Sequence, residues 1–153
     1  TTTLELSSAA SDVYKRQRLA IPDPKAIEGK RVLVIEDGPT TTHGGMAFGA
    51  GVIAAQRSGA AALVDPRPWA VGEIAATFSA YPETGPLLPA MGYGAQQLAD
   101  LEATVDAVDC DLVLIATPID LARLIRIRHP QQTIAYSLAE SGNELADAIR
   151  QLP

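Results

Sequence analysis

At 153 residues, 47% hydrophobic and 20% charged, the chain is long enough for one domain with a substantial core. A formal net charge of -6 argues against broad binding to nucleic acid or to an anionic membrane surface, which requires a basic face. No apolar run approaches the roughly 20 residues of a bilayer span, and the amino end has no basic-then-apolar signal layout, so a cytoplasmic location is expected. The single cysteine, Cys110, excludes an internal disulfide and offers no metal-ligand spacing; beside a strand-like run it reads as core.

Residues 1–17 fit poorly with the remainder, and the piece 7–17 resembles a translated sequencing-adaptor read-through. This stretch is therefore set aside as a non-native extension. Residues 18–29 hold Pro22 and Pro24, which disfavour helix just ahead of them, and read as a linker. Residues 30–36 are the first predicted strand, with the continuous Val32-Leu33-Val34-Ile35 run of a parallel strand covered on both faces. It stops at two carboxylates, Glu36 and Asp37. A loop follows, Gly38-Pro39-Thr40-Thr41-Thr42-His43-Gly44-Gly45, which delivers His43 to the start of an alanine-rich helix over 46–58. Glycine N–H groups and the helix start behind them suit an anion at this point. Gly49 and Gly51 each cost up to roughly 1 kcal/mol relative to Ala inside a helix, so a close approach to the sheet or to a ligand is expected there. Gly59 is expected to end that helix as a C-terminal cap.

Residues 61–64 form a short second strand ending in Asp65-Pro66-Arg67-Pro68-Trp69, where two prolines hold Arg67 between stiff neighbours. A helix is expected over 70–81 with Ile74 and Phe78 one turn apart, then a long Pro- and Gly-rich connection over 82–94. Helical periodicity returns over 95–108, with Asp100, Glu102 and Asp106 on a solvated outer face. The third strand, 111–116, ends in Thr117-Pro118-Ile119-Asp120 and leads to a helical turn over 121–125. Arg126, Arg128 and His129 are the one basic cluster. A fourth strand over 133–138, with the character of an edge, and a terminal helix over 143–152 complete the expected elements.

The pattern is that of an α/β, Rossmann-like three-layer fold with a mostly parallel sheet of about four strands over residues 30–153. Parallel strands joined by helices bring Asp37, Asp65, Arg67, Thr117 and Asp120 to one edge, where open α/β sheets bind ligands. Arg67 has the planar fork for a phosphate or carboxylate. His43 can donate to an anion or move a proton near neutral pH, and is the candidate catalytic group. Thr40, Gly44 and Gly45 complete the anion-binding candidates. Glu36, Asp37, Asp65, Thr117 and Asp120 are supporting or cation-linked candidates, since carboxylates repel phosphate unless a cation lies between. The plainer roles are also open: Asp65 as a turn former, and Thr117, Asp120 or His43 as helix caps. No G-x-x-x-x-G-K-[ST] loop occurs, nor a strand-linked G-x-G-x-x-G, and no Ser-His-Asp spacing or metal cluster stands out.

Taken together, Gly29-Lys30-Arg31-Val32-Leu33-Val34-Ile35-Glu36-Asp37-Gly38-Pro39-Thr40, Thr42-His43-Gly44-Gly45-Met46, Asp65-Pro66-Arg67-Pro68, Leu88-Pro89-Ala90-Met91-Gly92-Tyr93 and Thr117-Pro118-Ile119-Asp120-Leu121 resemble the carboxyl-terminal part of the cyclic 2,3-diphosphoglycerate synthetase family of P-loop GTPase-like proteins. Departures from the family pattern are Thr41 in an apolar position, Val52 and Trp69 in place of tyrosine, and Arg128-His129 in place of Asn-Lys. The resemblance implies a ligase fragment: ATP- and Mg2+-dependent closure of an internal anhydride in 2,3-bisphosphoglycerate, with the P-loop region supplied by a preceding segment of the same protein. This fragment alone is expected to be inactive and to hold no cofactor tightly. Its partners are then 2,3-bisphosphoglycerate or another small anion, the P-loop region, and a second copy where an apolar interdomain face is left bare. The competing expectations are a regulatory or structural domain of a nucleotide-binding protein of different function, and a stand-alone anion-binding module.

Overall fold

The computed structural model describes residues 17–43 and 49–138. Contacts divide the chain into two units, residues 21–135 and the two ends, 1–20 with 136–153. In the terminal unit, β1 (Gln17–Ala20) and β7 (Ala135–Leu138) pair as a two-stranded ribbon. The larger unit is built on a five-stranded sheet comprising β2 (Arg31–Asp37), β3 (Ala62–Leu63), β4 (Leu88–Ala90), β5 (Leu112–Ala116) and β6 (Gln131–Thr133). The order is β3-β2-β5-β6, with β4 also on β2, and each pairing is parallel. The α/β, mostly parallel architecture expected from the sequence is therefore observed.

Parallel strands need crossovers, and helices supply most of them. α1 (Gly38–His43) and α2 (Ala50–Arg57) lie between β2 and β3, α3 (Gly72–Ala80) between β3 and β4, and α4 (Ala95–Ala107) between β4 and β5. A 3-10 turn at Leu121–Arg123 lies on the way from β5 to β6. Residues 32–36 of β2 and all of β5 are buried, which is why both read as unbroken apolar runs. On one face Leu33, Ile35, Val113 and Ile115 pack with Ile74 and Phe78 of α3 and Leu101 and Val105 of α4. On the other, α2 lies so close that a Cβ added to Gly51 would stand 2.6 Å from Val34 Cγ1 and 2.7 Å from Ala116 Cβ. The glycines of this helix thus mark an approach to the sheet. Ser58 caps α2, and Gly59 follows it at φ 76°, the left-handed exit expected of it.

Four expectations are corrected. The loop expected over 38–45 begins with α1, because Pro39 presets a helical φ and Thr41 turns its hydroxyl inward to donate to the carbonyl of Gly38 at 3.0 Å. The connection over 82–94 contains β4; Pro89 is tolerated because this strand pairs with β2 alone and is an edge. The fourth strand divides at Ile134, which is buried, so that β6 joins β5 while β7 pairs with β1. Gln17, set aside with the extension, and the first residues of the segment read as a linker form β1, and Pro24–Ala26 forms a 3-10 turn capped by the Asp23 carboxylate. The helix expected over 46–58 begins, among the described residues, at Ala50; the helix over 143–152 lies outside them. No helix among the described residues is long and apolar enough to cross a membrane.

Gly51→Ala offers a direct check on the α2 contact. Ala favours an isolated helix over Gly by about 1 kcal/mol, yet here its methyl group meets two side chains of the sheet. We expect urea unfolding to show a net loss of about 1–3 kcal/mol, with Gln56→Ala on the exposed side of the helix within about 0.5 kcal/mol of the parent.

Candidate functional site

The strand register decides what reaches the carboxyl edge. Glu36 pairs with Ala116 and Asp37 with Ala90, so Thr117 follows on one side of Asp37 and Met91 on the other. β3 occupies the same side of β2 as β4 but lower, with Leu63 level with Val32. The chain therefore leaves β3 well below Asp37, on the order of 16 Å at ~3.3 Å per residue. The expected convergence is met by Asp37 and Thr117. Asp65 and Arg67 depart from the sheet lower down, and β4 takes the place beside Asp37.

Arg67 is held by the fold. Its guanidinium bonds the Asp65 carboxylate at 3.0 Å, the carbonyl of Pro82 at 3.3 Å and the carbonyl of Thr84, and it lies 4.6 Å from the centroid of the Phe78 ring. Asp65 also accepts from the Arg67 N–H at 3.1 Å, the turn that an aspartate before proline forms. Together they clamp the Asp65–Trp69 turn to the start of the connection into β4.

Thr117 is buried and donates to the carbonyl of Ile119 at 3.0 Å, shaping the turn after β5. Asp120 stands exposed in an ion pair with Arg123 at 3.3 Å. Its side chain forms no cap hydrogen bond to the 3-10 turn. Thr40 lies within α1, His43 ends it, and Gly44 and Gly45 lie outside the described residues.

Glu36 is the electrostatic centre of this edge. It is 3% exposed and points to the face covered by α2, where its Oε1 accepts from the Val52 N–H at 3.0 Å. Burial pushes its pKa up to about 7, against which the amides of Val52, Gly51 and Gly49 act to lower it, while neighbouring Asp37 raises it further. The start of α2 thus faces the chain's own carboxylate.

Sequence patterning missed Asp100. It reads as part of a solvated face, but it is 8% exposed and accepts from the Glu73 N–H at 3.0 Å and from Gln96 Nε2 at 2.9 Å. It caps the first turn of α3 from α4, in place of the N-cap residue Val71, which has no side-chain acceptor. The signal was present only as that missing cap. The rest of the acidic face meets the basic cluster: Glu102 accepts from the Arg126 N–H at 2.8 Å, and Asp106 pairs with Arg128 at 3.4 Å. His129 Nε2 donates to the carbonyl of Val105 at 3.1 Å. Cys110 is buried, and burial pushes its thiol pKa up, which suits the expected core role. Beyond Ala90 a cavity of about 10 Å³, lined by Glu73, Ile74, Met91 and Gln97 among others, has room for a single water.

No family model matches the sequence, and no solved structure does. The chain is similar to a curated protein, arginine synthetase ArcE of Thermococcus kodakarensis, with 50% identity over 134 residues. The match covers 88% of this chain, which spans 29% of that relative's length.

Two outcomes follow from the site geometry. The folded pKa of Glu36 lies above its ordinary value of 4.5, so between about 4.5 and about 7 the native state holds a proton that the unfolded chain has released. Stability is favoured by this group at low pH and falls as pH rises through that window, by about 3 kcal/mol in full. In Glu36→Gln this fall should vanish: unfolding at a series of pH values should show the variant gaining on the parent between about pH 4.5 and about pH 7. For Arg67, both Ala and Lys should destabilise by about 1–3 kcal/mol, since Lys keeps the charge but loses the fork. A Lys variant as stable as the parent contradicts the clamp.

Proposed function

We propose that this chain forms one wall of a substrate site in a larger ATP-dependent synthetase, using the strand ends at Asp37 and Thr117. In this reading the whole protein follows its archaeal relative in making arginine, in place of the cyclic phosphoanhydride that the sequence motifs suggest. The observation that carries it is the 50% identity to a protein named an arginine synthetase, sustained over 134 residues. Electrostatics lean the same way. Asp37 at the carboxyl edge suits a product with a cationic guanidinium better than a bisphosphate. Arg67, the residue expected to hold a phosphate or carboxylate, is engaged with Asp65 and two carbonyls.

ATP and Mg2+ belong to the whole protein in this reading. The described residues fit neither: the start of α2 is filled by the Glu36 carboxylate, and no group of three His, Cys, Asp or Glu side chains among them converges to hold a metal ion. ATP, when bound, activates the acceptor by phosphoryl transfer. The part left to these residues is to shape and exclude water from the acceptor side.

Calorimetric titration of the full-length protein in the presence of Mg-ATP checks the proposal. Arginine should bind saturably and 2,3-bisphosphoglycerate should not. Conversion of 2,3-bisphosphoglycerate to a cyclic product returns the protein to cyclic diphosphoglycerate synthesis, and nucleotide hydrolysis with neither ligand bound assigns the segment a regulatory or structural role.

A further inference from the structure

A helix start whose free backbone N–H groups and dipole point at one spot beside a strand end is an arrangement that suits an anion. Here that spot holds Glu36. Its Oε1 takes the Val52 N–H at 3.0 Å, one of the donors that a helix leaves unpaired at its start. The fit is close on two sides. A Cβ at Gly49 would stand 2.5 Å from Glu36 Oε2, and one at Gly51 would stand 3.0 Å from Oε1. Gly49 is therefore needed to admit the carboxylate, and Gly51 leaves it little room to spare. Glu36 is also 3% exposed, so a ligand reaches those amides only by ejecting it.

We propose that Glu36 is a specificity-determining residue that acts as a built-in anion: its carboxylate occupies the anion-binding position at the start of α2 and excludes phosphate groups from it. An ionised carboxylate there cancels the partial positive charge of the helix start and repels a phosphate that approaches. It also takes up the space, since the side chain is wedged between the strand end and the helix backbone. Phosphate groups of a nucleotide or a phosphorylated substrate are consequently held by residues other than the start of α2. This holds whether or not the whole protein makes arginine.

Inorganic phosphate is the probe, used on the 153-residue chain at pH 8, where the carboxyl is ionised, with chloride of matched ionic strength as control. The readouts are the amide resonances of Gly49, Gly51 and Val52 and the melting temperature. In the parent chain neither should respond to phosphate beyond the chloride control. In Glu36→Ala, phosphate should shift those three amides and raise the melting temperature, with an affinity at least about tenfold above the parent's. Acetate, which can refill the lost carboxylate, should also stabilise Glu36→Ala and leave the parent unchanged. A folded Glu36→Ala chain that ignores both anions overturns the proposal. So does saturable movement of the Val52 amide by phosphate in the parent, a measurement that decides the matter even where Glu36→Ala does not fold.

Discussion

One side of β2 is shared between two short strands, and the layout of the carboxyl edge depends on that division. β3 pairs with Arg31 and Val32, then leaves; β4 pairs with Ile35, Glu36 and Asp37. Neither strand alone satisfies the backbone of that side of β2, and each unpaired buried N–H or carbonyl would cost on the order of a hydrogen bond. With β5 paired along Val32–Glu36 on the opposite side, β2 is hydrogen-bonded on both sides. Its last residues are then carried to the edge between two neighbours, Thr117 and Met91, whatever happens at β3.

Beneath that edge lies an electrostatic arrangement with opposing demands. Burial of the Glu36 carboxyl is unfavourable and drives its pKa to about 7, while the amides of α2 draw it back toward the charged form. Hydrogen bonds to the helix start offset part of the desolvation cost, and the close seating of α2 on Val34 and Ala116 keeps water out. Asp100 solves a related problem on the opposite face of the sheet, where it supplies to α3 the acceptor that Val71 cannot. Both carboxylates sit under helix starts, and both serve a helix distant in sequence from themselves.

Much of the fold was legible because it rests on short-range periodicity. The unbroken apolar runs of β2 and β5, the one-turn spacing of Ile74 and Phe78, and Gly59 after α2 each carry a local signal whose physical cause is also local. β4 was hidden by its own chemistry: three residues, one of them proline, in a Pro- and Gly-rich connection, stabilised by pairing with a strand some fifty positions away. The division of β6 from β7 at Ile134 has the same origin, since alternation alone cannot say which partner each half will choose. Asp100 was misassigned because a helix face is solvated or buried according to what packs against it.

For the candidate site, the residues themselves determined that β2 ends in two carboxylates, that glycines follow, and that no phosphate-binding loop of known spacing is present. They also determined that Arg67 stands rigidly between prolines. Tertiary structure alone decided what these groups face. Register set β3 low and β4 high, which left Asp37 and Thr117 at the edge. Packing gave the Arg67 guanidinium to Asp65, two carbonyls and a phenyl ring, and the Glu36 carboxylate to the start of α2. Side-chain type is a local property, but a charged group's role is set by the partners that burial leaves it, and those partners come from distant parts of the chain.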